Sequence, residues 1–363
     1  MSSEKQYKYN IVINYIMKYI QENELSDGDK LPTEQQLSRE LHVSRVSIQQ
    51  GIKKLEKDGF VYRIQGSGTY VRQIADRKES SIMIPLVMAT EFNVVHGFDV
   101  IRGAQEFLFS HSCHLSPHCF KVEGKSPDNY EEVIDHLIER GNRCIMILLP
   151  RIQNPEYFRR HIRNGIRFVF LDNPLEDFFG SYLVCSDHAM GGYLVTKHLL
   201  DLGHTNIAVF CPVHVDTETN PNYRLRLEGY RKALEERGIV SRPDYFFECV
   251  SRGDFAEQIR RMSSLTPRPT AVFCLSDATA DMLVEGLREQ EIRVPEDVSV
   301  AGFDNLQTGN PVTTVQQDFY GLGRYGAELA LQLLNHPDYP MTRQTLPVSL
   351  IARSTTVRMK LPT

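Results

Sequence analysis

Residues 31–55 read LPTEQQLSRELHVSRVSIQQGIKKL, which divides into two short amphipathic stretches separated by a polar turn. Thr33 stands three positions before Gln36, the spacing of a capping box, and so marks the start of a first helix. Ser44 is a natural N-cap for the second helix. The apolar residues at helical spacing are Leu37, Leu41, Ile48, Ile52 and Leu55. This stretch therefore predicts a helix-turn-helix.

The flanking residues extend this motif on both sides. Upstream, apolar side chains recur at helical spacing from Ile11 to Ile20. Downstream, Gly59 stands where a left-handed helix C-cap belongs, and residues 60–71 read FVYRIQGSGTYV. Two β-rich runs around a Gly-Ser-Gly turn are typical of a hairpin. The N-terminal segment is therefore predicted to be a winged helix-turn-helix.

Basic charge is concentrated in this segment. Residues 1–72 carry 11 Lys and Arg against 9 Asp and Glu, whereas the whole chain carries 41 against 46 and a net charge of −5. The exposed positions predicted for the second helix are Arg45, Val46, Ser47, Gln49, Gln50, Lys53 and Lys54. Such side chains at a helix N-terminus can reach bases and phosphates in a major groove, although a merely solvated polar face has the same pattern.

The run from Tyr9 to Val71 resembles the winged-helix domain of the GntR family of bacterial repressors. The resemblance rests on the blocks DKLPTE (29–34), VSR (43–45) and QGSGTYV (65–71). It implies that this segment binds double-stranded operator DNA.

The resemblance also implies which residues contact DNA. Arg45 would be the central contact, and Lys30 would hold a phosphate. Val46 and Gln49 stand where the family usually has Thr and Arg, so the operator sequence is expected to differ from those of relatives. The implied DNA-binding residues are Lys30, Gln35, Ser44, Arg45, Val46, Ser47, Gln49, Lys53, Gln65 and Gly66.

Length and composition indicate a cytoplasmic protein of several domains. The 363 residues exceed one ordinary domain, and 41% hydrophobic with 24% charged residues is typical of a globular chain. No run approaches the roughly 18 apolar residues of a membrane helix, and the polar start lacks a signal peptide. Seven cysteines without a CxxC pair fit a reducing compartment. We predict a DNA-binding domain at 1–72, a charged linker at 73–81 and a second domain at 82–363.

The second domain is predicted to be α/β, because apolar runs alternate with amphipathic stretches. The predicted strands are Ile82–Met88, Cys144–Leu149, Arg167–Leu171, Ile207–Cys211, Ala271–Leu275 and Val298–Phe303. The predicted helices are Gly97–Ser110, Tyr130–Arg140, Ala189–Leu202, Arg226–Arg237 and Ala278–Gln290. Ligands of parallel sheets bind where strands end, which points to Asp172, Asp187, Asp277 and Asp304. These carboxylates could ligate metal, catalyse hydrolysis, bind hydroxyls or cap helices.

Residues from about Ile82 to Thr356 resemble the LacI/GalR effector domain, which is itself similar to periplasmic sugar-binding proteins. The motifs that carry the resemblance include HLLDLGHTNIAVF, RLRLEGYRKAL, VPEDVSVAGFDN and LPVSLIARST. It implies a two-lobed parallel-sheet sensor that closes around a ligand by a hinge motion. The predicted fold is thus α/β, with an N-terminal winged helix-turn-helix and a two-lobed periplasmic-binding-protein-like sensor domain.

The same resemblance implies a ligand site. Arg226 and Asp304 would bind sugar hydroxyls, since planar bidentate groups suit vicinal hydroxyls. Phe255 or Phe319 would cover the apolar face of the sugar. Ser276 stands where most family members carry Asn. The full set of implied ligand-binding residues is Asp172, Arg226, Phe255, Ser276, Asp304, Gln317 and Phe319.

Two further sequence patterns are weaker evidence for a functional site. Residues 111–119, HSCHLSPHC, hold five His and Cys, but their spacing matches no standard zinc motif and their alternation favours a strand. Residues 186–188 place Ser, Asp and His side by side, which cannot form a triad because adjacent side chains do not converge. We therefore predict no metal, no cofactor and no enzymatic activity.

The two resemblances together favour a sugar-responsive bacterial regulator, most simply a repressor, because a GntR-type reader joined to a LacI-type sensor resembles the arabinose repressor group. The effector would be a pentose or similar sugar, and the protein would act as a homodimer on palindromic DNA without contacting a membrane. The alternatives are a carbohydrate-binding transport or sensor protein, a regulator of a non-sugar metabolite, and a carbohydrate-modifying enzyme using Asp277 and Asp304.

Overall fold

A computed structural model of the chain describes residues 12–359 with gaps, and divides it into two compact units, Met1–Ser81 and Ile82–Thr363. The predicted linker at 73–81 lies outside the described residues. The residues that are not described within this span are 14, 17, 21, 22, 24, 27, 42, 58, 59, 65, 72–81, 90–93, 121–129, 151, 174–180, 212–219, 250, 251, 307, 308 and 337.

The first unit is a winged helix-turn-helix, which confirms that part of the predicted fold. Helices α1 (Glu34–Leu41) and α2 (Arg45–Lys57) precede the antiparallel strands β1 (Val61–Ile64) and β2 (Gly68–Val71). Its apolar core is formed by Val12, Ile16, Leu31, Leu37, Ile48, Ile52, Leu55, Val61 and Val71. Because these side chains come from every described element of the unit, the domain has a core of its own.

Both predicted helix starts are capped as the sequence indicated. The Thr33 backbone N–H donates to Gln36 Oε1 at 2.8 Å, and the Gln36 N–H donates to Thr33 Oγ1 at 3.3 Å, so the capping box is reciprocal. The Ser47 N–H donates to Ser44 Oγ at 3.2 Å. The predicted C-cap, Gly59, lies outside the described residues.

The second unit is built from parallel strands connected by helices. Its strands are β3 (Ile82–Ala89), β4 (Cys113–Phe120), β5 (Cys144–Leu148), β6 (Arg167–Leu171), β7 (Tyr182–Ser186), β8 (Ile207–Cys211), β9 (Phe246–Glu248), β10 (Ala271–Cys274), β11 (Ser299–Ala301), β12 (Thr314–Gln316), β13 (Arg343–Leu346) and β14 (Ser349–Ile351). Its helices are α3 (Val94–Ser110), α4 (Tyr130–Glu139), α5 (Pro155–Arg163), α6 (His188–Asp201), α7 (Pro221–Glu235), α8 (Phe255–Ser264), α9 (Asp277–Glu289) and α10 (Phe319–Asn335).

These elements form two lobes. The first lobe has a six-stranded sheet in the order β13-β7-β6-β5-β3-β4, and the second has a four-stranded sheet in the order β11-β10-β8-β9. All pairings within both sheets are parallel, whereas β12 and β14 form a separate antiparallel pair. The chain passes between the lobes after β7, after β12 and after β13. This confirms the predicted two-lobed α/β fold.

Helices α6 and α7 pack backbone to backbone in the second lobe. A Cβ added at Gly192 of α6 would lie 2.0 Å from the carbonyl oxygen of Arg226 in α7, and one added at Gly229 of α7 would lie 2.0 Å from the carbonyl oxygen of Ala189. Two glycines that face each other's helix therefore set the distance between these helices, and with it the position of Arg226.

Replacing Gly192 with alanine should destabilise the second unit by about 1–3 kcal/mol, because backbone rather than a mobile side chain occupies the space of the new methyl group. Gly286→Ala is the matched control, since its Cβ would meet side chains and no backbone, the end of Ile259 at 2.9 Å and the Cβ of Phe255 at 4.0 Å. Chemical denaturation of both variants measures the difference. Equal midpoints would show that α6 and α7 separate at little cost.

Candidate functional site

A chain of buried polar side chains joins the ends of strands from both lobes. Asp172 follows β6, His188 begins α6, Arg226 lies in α7, and Asp304 follows β11. His188 Nε2 lies 2.9 Å from Asp172 Oδ1, Arg226 Nε donates to His188 Nδ1 at 3.3 Å, and Arg226 Nη2 lies 3.0 Å from Asp304 Oδ1. Three residues predicted from the sequence are thus brought together, and His188 links them.

The hydrogen-bond geometry fixes the tautomer of His188. Arg226 Nε can only donate, so His188 Nδ1 accepts, and the proton of a neutral ring lies on Nε2, which donates to Asp172. The imidazole therefore connects the first lobe to the second through one donated and one accepted hydrogen bond.

Both carboxylates are held by unusual backbone. Asp172 has a φ of 67° and Asp304 a φ of 109°, in the positive region that residues other than glycine rarely adopt. The Asp172 N–H donates to the Val184 carbonyl at 2.7 Å, and the Asp304 N–H to the Val315 carbonyl at 3.0 Å. Neighbouring strands thus stabilise a strained backbone that turns the Asp172 carboxylate toward His188 and the Asp304 carboxylate toward Arg226, and such strain clusters at ligand sites.

The pKa values of the two carboxylates are shifted in opposite directions. Burial alone would raise the pKa of Asp172, but His188 and Arg226 outweigh burial and hold that pKa below its usual value. Burial raises the pKa of Asp304, even though Arg226 and His188 act in the opposite direction. The surroundings therefore favour the anionic form of Asp172, while further hydrogen-bond donors would stabilise the anionic form of Asp304.

Arg226 is more strongly engaged by the protein than the sequence suggested. Besides His188 and Asp304, it donates through Nη1 to the carbonyl of Leu275. Its guanidinium carbon lies 3.7 Å from the centre of the Phe303 ring and 5.1 Å from that of Tyr223. Among the described residues, three of its five N–H groups have partners, and the other two could bind a ligand.

Asn222 and Gln317 complete the polar cluster. Asn222 Nδ2 donates to Asp172 Oδ2 at 3.0 Å, and Gln317 Nε2 donates to Asp304 Oδ1 at 2.8 Å. The two amide oxygens, Asn222 Oδ1 and Gln317 Oε1, are buried and accept no hydrogen bond among the described residues. Because an unsatisfied buried acceptor is costly, both atoms indicate where a donor on a ligand would bind.

Phe319 lies beside this cluster, whereas Phe255 and Ser276 do not join it. Phe319 begins α10, and its ring stacks on His96 with 3.9 Å between centroids. Phe255 is 4% exposed and belongs to the core of the second lobe, where its described contacts include the Phe210 ring at 6.1 Å. Ser276 caps α9 by accepting from the Thr279 N–H at 3.3 Å. The structure therefore gives Phe255 a core position and Ser276 a capping position.

The other two carboxylates predicted at strand ends have structural contacts. Asp187 caps α6 by accepting from the Met190 N–H at 2.9 Å. Asp277 is fully buried and accepts from Thr314 Oγ1 at 2.7 Å and from the Leu306 N–H at 2.8 Å. Burial, reinforced by the charge of Asp304, raises the pKa of Asp277 to about 8. Asp277 therefore supports the backbone next to Asp304.

The sequence missed two residues of this site: His188 and Asn222. His188 could have been found, because it follows β7 directly and so lies at a strand end like the carboxylates. Asn222 stands one residue after Pro221, at the start of α7, a region the sequence did not predict to be helical.

The His and Cys residues at 111–119 are dispersed by strand geometry. Cys113 and Leu115 of β4 are buried while His114 is exposed, as the predicted alternation requires. His118 Nε2 lies 2.9 Å from Ser116 Oγ.

In the first unit, the residues expected to contact DNA lie around the start of α2. Ser44, Arg45, Gln49 and Lys53 are exposed, and Val46 is 59% exposed. Ser47 is half-buried, and its hydroxyl lies 3.0 Å from that of Ser44. Ser44, Arg45, Val46, Gln49 and Lys53 thus form an accessible surface on one helix.

The remaining predicted DNA contacts lie on neighbouring elements. Gln35 is exposed on α1. Lys30 pairs with Tyr70 of β2 in an antiparallel β-bridge, and its ammonium group lies 5.8 Å from the centre of the Tyr70 ring. Gly66, in the turn between the strands, has a φ of 77°, which favours glycine. Gln65 lies outside the described residues.

Gln49 has a contact that bears on sequence recognition, because its amide nitrogen donates to Glu34 Oε2 at 3.0 Å. An amide held this way can pair with adenine, whereas arginine prefers guanine. Gln49→Arg should therefore shift the preferred base in a binding-site selection from adenine to guanine at one position per half-site. Gln50→Arg, which adds the same charge one residue later, is the control. An unchanged motif in Gln49→Arg would show that this side chain does not read a base.

Comparison with known proteins assigns both units. Residues 8–71 match the gntR family of bacterial regulatory proteins, and residues 196–356 match the periplasmic binding protein-like domain. The chain is 29% identical over 342 residues to an arabinose metabolism transcriptional repressor of Halalkalibacterium halodurans, covering 90% of this chain and 89% of the relative. It is 35% identical over 161 residues to the transcriptional repressor PurR of Haemophilus influenzae, covering 43% and 47%.

Solved structures of similar fold are also regulators. A LacI family transcriptional regulator from Enterococcus faecium with bound ribose aligns with a TM-score of 0.62 and 24% identity, covering 76% of this chain and all of that one. The transcriptional regulator CelR in complex with cellobiose aligns with a TM-score of 0.63 and 20% identity, covering 86% and 91%. At these identities the likeness establishes the fold.

The chain therefore combines a GntR-type DNA-binding domain with a periplasmic-binding-protein-like domain. Over nine-tenths of its length it is similar to arabinose metabolism transcriptional repressors. Within the part of the chain that the structure describes, no helix is long and apolar enough to cross a membrane.

Proposed function

We propose that this chain is a sugar-responsive transcriptional repressor, whose winged helix binds operator DNA and whose cleft binds a small neutral carbohydrate, a pentose or a similar sugar. The observation that carries the proposal is the set of buried hydrogen-bond acceptors gathered around one arginine. The similarity to arabinose metabolism repressors and to regulators solved with ribose and cellobiose supports it.

The acceptors define the ligand chemistry. Two carboxylates, Asp172 and Asp304, flank the single guanidinium of Arg226, so the cleft offers a phosphate or carboxylate no cluster of positive charge. The unpartnered oxygens of Asn222 and Gln317 need donors. Hydroxyl groups donate and accept without carrying charge, and a small polyol presents several of them within one cleft. A neutral sugar therefore fits better than an anionic metabolite.

The first unit has the features expected of a domain that binds double-stranded DNA. An exposed helix that begins at Arg45, next to a wing with Gly66 at its turn, has the arrangement of a major-groove reader. We infer a homodimer, because a two-fold protein matches two half-sites of palindromic DNA. Such a regulator acts in the cytoplasm, where the bacterial chromosome lies.

We further infer that the cleft binds its ligand without altering it. Asp277, one of the two carboxylates a carbohydrate-modifying enzyme would need, is fully buried and accepts bonds from Thr314 and Leu306. Incubation of the protein with candidate sugars should leave them chemically unchanged, as judged by chromatography.

Thermal-shift measurements on the full chain would test the ligand class. Arabinose, xylose, ribose and galactose form the panel, and their phosphates are the matched anionic controls. A bound sugar at a hundred times its Kd should stabilise the protein by about 2.7 kcal/mol. Stabilisation by a phosphorylated sugar, with none by a neutral one, would overturn the proposed chemistry.

A further inference from the structure

His96 is a buried side chain at the cleft for which the polar cluster described above gives no role. It lies in the first turn of α3, is 8% exposed, and stacks on Phe319 with 25° between the two ring planes. Phe319 begins α10, immediately after the chain passes from the second lobe to the first. The His96 ring therefore stacks on a residue at the point where the chain crosses between the lobes.

The charges of the cluster influence His96. Burial lowers the pKa of His96 to about 4, with Asp99 and Asp172 acting to raise it and Arg226 acting to lower it. The charges of Asp172 and Arg226 thus act on this imidazole, which is neutral at physiological pH. A neutral imidazole nitrogen can donate or accept, depending on its tautomer.

Comparison with the other buried histidines shows what is unusual about His96. His204 uses both ring nitrogens within the protein, with Nδ1 3.0 Å from Thr270 Oγ1 and Nε2 2.9 Å from the Val357 carbonyl. His188 also uses both, toward Arg226 and Asp172. His96 Nε2 is buried without a hydrogen-bond partner among the described residues. A histidine that served only the core would have its nitrogens satisfied as His204 does.

We propose that His96 is a ligand-binding residue that determines specificity, with Nε2 forming a hydrogen bond to one hydroxyl group of the neutral sugar. This inference rests on the proposed function. Stacking on Phe319 fixes the ring plane, so Nε2 can reach a hydroxyl at one position of the sugar ring and not at others. His96 thereby selects among sugars that differ in the position or configuration of that hydroxyl.

Two variants separate hydrogen bonding from packing. His96→Phe keeps a ring against Phe319 and removes the nitrogen, whereas His96→Gln keeps a polar group near the position of Nε2. His204→Phe is the matched control, because it removes a buried histidine whose nitrogens both bond within the protein. Melting temperatures without sugar report on folding: His96→Phe should melt no lower than wild type, and His204→Phe should melt lower.

The test is isothermal titration of the full chain with arabinose and with its monodeoxy analogues. His96→Phe should bind arabinose about tenfold more weakly than wild type, and His96→Gln should recover part of the loss. One deoxy analogue should bind wild type and His96→Phe equally, which identifies the hydroxyl that His96 contacts.

Three results would overturn the inference. Equal affinity of wild type and His96→Phe for arabinose would show that Nε2 does not contact the sugar. A uniform loss across every analogue would show that His96 acts only through packing. Failure of wild type to bind arabinose and every other neutral sugar in the panel would overturn the proposed function, and the role of His96 with it.

Discussion

Asp304→Asn is expected to leave operator binding intact and to weaken effector binding by tenfold to a hundredfold or more. The substitution keeps the shape of the side chain, and asparagine tolerates the positive φ of 109° at this position. It removes the negative charge of the carboxylate. In the wild-type protein, Oδ1 of this carboxylate lies 3.0 Å from Arg226 Nη2 and accepts a hydrogen bond from Gln317 Nε2 at 2.8 Å. Hydrogen bonds to charged groups are worth about 1.5–3 kcal/mol, and each 1.4 kcal/mol is a factor of ten in affinity.

The loss should appear as a failure of regulation, because a ligand shifts an equilibrium only through its different affinity for two conformations. Arg226→Ala should act in the same direction, since it leaves Asp304 buried without its cation. Asp297→Asn is the control, because it breaks a comparable Arg–Asp pair, with Arg293 at 2.7 Å, on the surface of the second lobe. Sugar titrations by calorimetry measure the effect. Wild-type affinity in both cleft variants would show that the cluster is not the effector site.

Arg45→Ala is expected to weaken specific operator binding by tenfold to a hundredfold while leaving the domain folded. Arg45 is exposed at the first residue of α2, outside the apolar core of the unit, so its truncation removes no packing. A bidentate contact from arginine to a base is worth about 1–3 kcal/mol. Arg39→Ala is the control, since Arg39 is an exposed arginine in the last turn of α1.

Salt dependence gives a second readout of the same surface. Each phosphate neutralised by a lysine or arginine contributes about −0.9 to the slope of log K against log salt. Lys30→Ala and Lys53→Ala should each reduce the slope by about one without changing the selected sequence. A flat salt dependence for the wild-type protein in anisotropy measurements would contradict an electrostatic DNA interface.

Much of the fold could be predicted because hydrophobic periodicity determines it. The strand predicted at Arg167–Leu171 matches β6, and the strand predicted at Ile207–Cys211 matches β8. The start of α7 was missed by five residues: Asn220 caps this helix and Pro221 opens it, before any apolar stripe is visible. The short strands β12 and β14, each three residues long, carry too few positions for a period to show.

The site was predictable only in part. Asp172, Asp304 and Gln317 lie at strand ends or at a crossing between lobes, which topology brings together. Phe255 stands at the start of a helix whose apolar face packs in the core, and no local pattern distinguishes such a ring from one that covers a ligand. The role of His188 depends on contacts with Asp172 and Arg226, which are 16 and 38 residues away in the chain.

The measurement that tests the sensor assignment most directly is operator release by sugar. An operator fragment recovered by selection with the wild-type protein would be labelled, and its anisotropy followed as arabinose is added to wild type and to Asp304→Asn. We predict that both proteins bind the fragment with equal affinity, that arabinose or another neutral pentose changes wild-type binding, and that Asp304→Asn fails to respond. Equal sugar responses from the two proteins would contradict the assignment of this cleft.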